Sequence, residues 1–203
     1  MVTVLVDRVK PMASELAPLP EGVAEVIFSS AELAAAVGRL AERIAADYRD
    51  REVLLVGVLK GALFFAADLA RALHRAGLAP DRMTLDFIAV SSYGNSRRSS
   101  GEVRLLKDTS ESAEGRHVLI VEDIVDNGHT LHYLRSMFGG RAPASLAACA
   151  LLDKPFHRGV DVPVEYVGLE APDEFVVGYG LDYQESYRHL PYVARLHPWV
   201  YRD

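Results

Sequence analysis

Val118-Leu119-Ile120-Val121-Glu122-Asp123-Ile124-Val125-Asp126-Asn127-Gly128-His129-Thr130-Leu131 decides how the rest of this 203-residue chain is read. Its first four residues are apolar and rich in β-branching, the composition of a parallel strand buried on both faces. Two acids end the run, a third follows, and after Asn-Gly a helical pattern opens at Thr130. This is a strand–loop–helix unit with its polar groups at the carboxyl end of the strand, where open α/β sheets bind ligands. Glycine lets the backbone approach a phosphate closely, and the following helix N-terminus offers unpaired N–H groups. The acids Glu122, Asp123 and Asp126 are electrostatically awkward. Two unit charges about 4 Å apart repel by roughly 4 kcal/mol at an effective dielectric near 20, and a helix N-terminus returns only about 0.3–1 kcal/mol per carboxylate. A solvated acidic turn is the alternative, but three carboxylates aimed into one cleft would be a poor choice for stability alone.

Composition sets the outer bounds. The length suits one domain with a substantial core, and half the residues are apolar and a quarter charged, as in globular proteins. A net charge of −6 and a pI near 5.6 argue against a nucleic-acid or anionic-membrane surface. The single Cys149 cannot form an internal disulfide, and its place in the apolar run Leu146–Leu152 marks a buried thiol rather than a nucleophile. The apolar run Val2–Val6 is too short for a signal sequence and nothing reaches transmembrane length, so the cytoplasm is the expected compartment.

Along the chain, residues 1–22 carry three prolines and little periodicity and are read as an N-terminal extension, leaving 23–203 as the domain. Ser29-x-x-Glu32 is a capping box before a helix with Leu33, Val37, Leu40 and Ile44 on one face. Val53–Val58 reads as a second buried strand, followed by Leu59-Lys60-Gly61 and a helix to about Ala76. Further strands are expected at Thr84–Val90, Glu102–Leu106, His117–Val121, Ser145–Leu152, Val164–Gly168 and Phe175–Val177, with the motif helix from Leu131 to Phe138. Strands alternating with helices predict an α/β fold with a mainly parallel sheet covered on both faces.

Taken together, four segments match one family. The acidic stretch resembles the phosphoribosyl-diphosphate (PRPP) motif of type I phosphoribosyltransferases, and neither the Gly-x4-Gly-Lys-Ser/Thr loop of ATP- and GTP-binding proteins nor a Gly-x-Gly-x-x-Gly fingerprint occurs. Ser92-Tyr93-Gly94-Asn95 and Ser99-Ser100-Gly101-Glu102-Val103 bracket a small, polar, basic loop. Leu151-Leu152-Asp153-Lys154-Pro155 ends a strand on a lysine that would ordinarily be solvated. The run from Asp173-Glu174-Phe175-Val176-Val177-Gly178-Tyr179-Gly180-Leu181-Asp182-Tyr183 to Arg188-His189-Leu190-Pro191-Tyr192 is the second strong signal. From about Val23 to Tyr201 the chain resembles the bacterial hypoxanthine(-guanine) phosphoribosyltransferases.

That resemblance implies a type I phosphoribosyltransferase fold with a small hood built from chain-terminal segments. It implies transfer of 5-phosphoribosyl from PRPP to N9 of hypoxanthine or guanine, giving IMP or GMP and pyrophosphate. Asp126 would be the general acid/base at purine N7. Glu122 and Asp123 would engage the ribose, and the backbone of Asp126, Asn127, Gly128, His129 and Thr130 would cradle the 5′-phosphate. Lys60, Gly61, Ser92, Tyr93 and Arg188 would take the pyrophosphate, the polar loop closing over it to exclude water. Lys154 would donate to the purine O6, which selects 6-oxo over 6-amino purines. Phe175 would stack on the base, Val176 would read its edge, and Asp182, with Glu122 and Asp123, would hold Mg2+. Many members have a cis peptide before the lysine, here Leu59–Lys60, and most are homodimers or homotetramers. Asn127 stands where Ser or Thr is usual, His129 is at a variable place, and Arg97-Arg98 replace smaller uncharged residues. Rival readings are an RNA-binding regulator on the same fold, which the acidic balance disfavours, a nucleotide sensor without turnover, and a xanthine-preferring homologue.

Overall fold

The computed structural model describes residues 18–92 and 103–201. Chain order runs β1 (Val23–Phe28), α1 (Ser30–Asp47), β2 (Val53–Leu59), α2 (Leu63–Arg75), β3 (Met83–Ser92), β4 (Val103–Lys107) and β5 (His117–Val125). It continues through α3 (His129–Gly139), β6 (Ser145–Asp153), β7 (Tyr166–Glu170), β8 (Val176–Val177), β9 (Val193–Leu196) and α4 (Pro198–Tyr201). Six strands form the central sheet in the order β4-β3-β2-β5-β6-β7, parallel throughout except for the antiparallel pair of β3 with the edge strand β4.

The period of two along β2 sends Val53 and Leu55 to one face and Leu54 and Val56 to the other. The first face packs on Leu33, Val37, Leu40 and Ile44 of α1 and Phe65, Leu69 and Leu73 of α2. The second packs on Leu131, Leu134 and Phe138 of α3. Double coverage explains why the central strands read as unbroken apolar runs. Helix α1 opens on the expected capping box: Ser29 Oγ accepts from Glu32 N at 3.3 Å, and the Glu32 carboxylate accepts from Ser29 N at 2.8 Å. Cys149 is fully buried and its thiol is pushed to a higher pKa by that burial, so it is a packing residue.

A smaller antiparallel sheet, β1-β9-β8, forms the hood, pairing Val23 with Leu196 and Phe28 with Val193. Neither β1 nor β9 was expected as a strand. The motif strand also runs past Val121, because β5 keeps pairing β6 from Glu122↔Ala150 to Val125↔Asp153, so Glu122 and Asp123 lie inside the strand rather than after it. Strand β7 begins at Tyr166 rather than Val164, β4 is shifted by one residue, and β8 excludes Phe175. Among the described residues no helix is long and apolar enough to cross a membrane.

Candidate active site

The sheet order places the site. From β2 the chain moves outward through β3 to β4, whereas from β5 it moves the other way through β6 to β7. The connections leaving β2 and β5 therefore diverge at adjacent carboxyl ends, the crevice where open α/β sheets bind ligands. Leu59-Lys60-Gly61 leaves β2 there, with the Leu59–Lys60 peptide in cis, and Asp126-Asn127-Gly128 leaves β5.

Three segments meet at Gly61 without room for a methyl group. A Cβ on Gly61 would lie 1.8 Å from Asp123 Oδ2, and one on Gly180, at φ +106°, would lie 1.9 Å from the Gly61 carbonyl oxygen. Glycine is required at both positions by contact, and at Gly180 by backbone conformation as well. The hood segment around Gly180 is thereby seated directly on the floor of the crevice.

The acids do not behave alike. Glu122 is 5 % exposed, its Oε1 has no hydrogen-bond partner, and burial first, then the charge of Asp123, pushes its pKa well above the carboxylate range. Asp123 is pushed up to about 6, chiefly by burial, with Asp182 adding repulsion while backbone N–H groups and Arg188 oppose the shift. Asp126 instead stands exposed on the loop. The three carboxylates expected in one cleft thus divide into a buried one, Glu122, a half-buried one, Asp123, and the exposed Asp126, because only Glu122 and Asp123 are held in strand β5.

At the mouth of the loop, Gly128 adopts φ 84° as the N-cap of α3, and Asn127 Oδ1 accepts from His129 N at 3.0 Å. The Asn127 carbonyl accepts from Gly159 N at 2.9 Å and Val160 N at 3.3 Å. His129 and Thr130, both half-buried, begin the helix, so its first turn faces the crevice mouth. Asn127 thereby spends its amide oxygen on the first helical N–H and keeps its NH2 group as a donor.

Cations converge from two sides. Arg188 Nη2 pairs with Asp182 Oδ1 at 2.8 Å and with Glu185 Oε1 at 3.1 Å, and Nη1 donates to the Gly180 carbonyl at 2.8 Å. The other oxygen of Glu185 accepts from Lys60 Nζ at 2.7 Å. One carboxylate therefore bridges the two cations assigned from sequence to a diphosphate. With the Lys60 and Glu185 side chains 67 % and 65 % exposed, that pair is screened by solvent and yields readily to a stronger anion.

On the far side, Lys154 is 8 % exposed, and its Nζ donates to the Glu174 carbonyl at 2.5 Å. Phe175, half-exposed, stacks on Tyr201 at 5.0 Å and meets Tyr183 edge-on at 5.6 Å. Its ring is held by two tyrosines, Tyr201 being one that sequence reading did not single out. Val176 is buried in β8 opposite Arg195. Ser92 ends β3, while Tyr93 and the loop with Arg97 and Arg98 lie outside the described residues.

Residues 24–184 match the phosphoribosyl transferase domain family. The chain is 48 % identical over 174 residues to a hypoxanthine phosphoribosyltransferase of Salmonella typhimurium, covering 85 % of this chain and 94 % of that one. It is 47 % identical over 181 residues to the hypoxanthine-guanine phosphoribosyltransferase of Bacillus subtilis, covering 89 % and 97 %. The chain belongs to the hypoxanthine phosphoribosyltransferase family. A Trypanosoma cruzi member, solved in complex with the product IMP, superposes with a TM-score of 0.83 at 43 % identity over 91 % of this chain and all of that one.

For a phosphoribosyltransferase of this family, Glu185 and Arg158, like Tyr201, escaped sequence reading. Arg158 Nη1 donates to the Asp126 carbonyl at 2.8 Å, and Nη2 pairs with Asp153. Glu185 and Arg158 each have one local side-chain partner, Arg188 and Asp153 respectively, but the contacts to Lys60 and to the Asp126 carbonyl span more than a hundred and about thirty positions, so only the tertiary fold brings these together.

Half-buried Asp123 gives a testable pH dependence. Its folded pKa is raised, so the folded state binds the extra proton. Its contribution is fully favourable below the unfolded carboxyl pKa of about 4 and is lost as pH rises through about 6. Asp123→Asn is therefore expected to stabilise the metal-free protein by about 1–3 kcal/mol at pH 8 and far less at pH 4.5. Thermal melts across that range in chelator would show it; a pH-independent difference would contradict the assignment.

Proposed function

We infer that the chain transfers 5-phosphoribosyl from PRPP to N9 of hypoxanthine or guanine in purine salvage, releasing pyrophosphate with IMP or GMP. The observation that carries this reading is the meeting at one crevice of an adjacent pair of acids, a glycine-capped helix N-terminus, two cations sharing a displaceable carboxylate, and a buried lysine beside an aromatic. The catalytic domain is taken as 23–203 with 1–22 an extension, and the setting as cytoplasmic.

The proposed steps use this chain's own groups. N–H groups from Asp126 to Thr130, the Thr130 hydroxyl and the free NH2 of Asn127 hold the 5′-phosphate. Glu122 and Asp123 engage the ribose hydroxyls, and their negative charge favours the cation-like ribosyl transition state. Lys60, Gly61 and Arg188, with Ser92 and Tyr93, hold the leaving pyrophosphate after Glu185 yields. Lys154 turns from the Glu174 carbonyl to the purine O6, Phe175 stacks on the ring, the backbone of Val176 contacts its edge, and Asp126 exchanges a proton at N7.

Among the described residues no three metal-ligating side chains cluster, so the protein alone offers no cage. The donors nevertheless suit a hard cation: the orphaned Glu122 Oε1, the carboxyl of Asp123 and that of Asp182 are all oxygen ligands. Asp182, Glu122 and Asp123 would hold Mg2+ that arrives with the diphosphate. Bound there, Mg2+ would neutralise charge on the leaving group.

Association into a homodimer or homotetramer is supported by exposed Leu63 and Phe64 on α2, beside a cavity of about 460 Å³ lined by Phe64, Tyr179 and Leu190.

The deciding experiment offers PRPP and Mg2+ with hypoxanthine, guanine, xanthine and adenine in parallel and follows nucleotide formation. Turnover of hypoxanthine or guanine with adenine inert is expected. PRPP binding without turnover on any base would leave a sensor instead, and preferred turnover of xanthine would shift the substrate.

Asp126→Asn is expected to lower kcat by about 10²–10⁴-fold with PRPP affinity nearly unchanged; lost PRPP binding with normal single-turnover chemistry would remove the acid/base role. Lys154→Ala is expected to cost about 10–100-fold in kcat/KM for hypoxanthine, the worth of a hydrogen bond from a charged donor, while leaving any residual adenine reaction unchanged. Equal losses on both bases would take Lys154 out of base recognition.

A further inference from the structure

We propose that Arg158 is a positioning residue that sets the distance between the Asp126 loop and the Lys154 loop, and so fixes the two groups that read one edge of the purine. The inference rests on the roles inferred above for Asp126 and Lys154.

Three consecutive carbonyls leaving β5 are each tied to the segment following β6. Val125 accepts from Lys154 N at 2.9 Å, Asp126 from Arg158 Nη1 at 2.8 Å, and Asn127 from Gly159 N at 2.9 Å. The outer two bonds come from the backbone and are available to almost any sequence. The middle one comes from a side chain, so it alone is written in the identity of a residue. It also falls on the residue proposed to move the proton.

Arg158 is suited to this by shape. Its second nitrogen, Nη2, pairs with Asp153, the residue immediately before Lys154. The Arg158 and Asp153 side chains are only 21 % and 19 % exposed, so the contact is largely shielded from water. A guanidinium presents separate donors in a rigid plane and spans a carbonyl and a carboxylate at once. A lysine is a single point of charge on a flexible stem and holds neither direction.

The chemistry explains why the span matters. Purine N7 and O6 are neighbouring acceptors on the same edge of the ring. Groups serving them from two separate loops must keep a fixed separation, because a displacement of about 1 Å between reacting groups costs on the order of 10²-fold in rate. Arg158, contacting neither the N7 nor the O6 position itself, joins the residue beside Lys154 to the backbone of Asp126.

The test is a double-mutant cycle on the full chain with PRPP, Mg2+ and hypoxanthine. Arg158→Met is expected to lower kcat by about 10–100-fold while KM for PRPP stays within about threefold. Placed on Asp126→Asn, the same substitution is expected to cost less than about threefold more, since its effect runs through Asp126. Arg158→Lys, which keeps the charge without the fork, is expected to restore little of the loss and supplies the measurement if the Met variant does not fold. Multiplying losses in the double variant, an unchanged kcat in Arg158→Met, or full activity of Arg158→Lys would each overturn the proposal. If Asp126→Asn alone retains full kcat, the acid/base reading fails first and the positioning role falls with it.

Discussion

The contact at Gly61 is the constraint on which the site depends. Strands β2 and β5 lie side by side at the centre of the sheet, and their connections leave in opposite directions. Into the gap between them the fold packs the Asp123 carboxyl against Gly61, and the hood backbone at Gly180 against the Gly61 carbonyl, both too closely for any side chain. The β2 loop, the acidic strand and the hood are thereby packed against one another at Gly61, through the Asp123 carboxyl on one side and the Gly180 backbone on the other. Lys60, Asp123 and the Asp182–Arg188 pair inherit their relative positions from it. A site assembled from loops alone would leave each of these groups to find its own place.

What the sequence could reveal followed from how local each signal is. The central strands are covered on both faces, so their continuous apolar runs were readable without the structure, as was the capping box at Ser29. Of the hood, only its chain-terminal origin and the strand near Phe175–Val177 were. Strand β9 is Val193-Ala194-Arg195-Leu196, too short to show a period, and its partners on β1 lie some 170 positions away. Strand β5 overran its expected end for a related reason. Acids halt an apolar run in the sequence, but the ladder to β6 continues through Glu122 to Val125 and carries them along.

The same distinction applies within the site. Asp126, Lys154, Asp182 and Arg188 belong to motifs of fixed spacing, and those residues could be named in advance. Glu185 and Arg158 reach the site through long-range contacts, one to Lys60 and one to the Asp126 carbonyl, beside local pairs to Arg188 and Asp153. An isolated glutamate or arginine in a polar segment is indistinguishable from a solvated one until the chain is folded. The pairing of Phe175 with Tyr201 has the same character, since it joins the base-side aromatic to the last helix of the described chain.

Charge explains why so strained a collection of acids persists. Left alone, Glu122 and Asp123 repel, and both are driven toward protonation by burial. Arg188 offsets part of this for Asp123, and its own charge is shared between Asp182 and Glu185, the latter also holding Lys60. The free site is therefore a chain of partial neutralisations in which the adjacent acids remain under-compensated and Glu185, itself exposed, is shared between Lys60 and Arg188. In the proposed reaction the incoming diphosphate replaces Glu185 on the cations, while its accompanying cation and the ribose hydroxyls answer the acids. Substrate binding would then relieve, in one event, the two electrostatic costs that folding leaves in place. A site already satisfied in the free chain would have less to gain from the substrate.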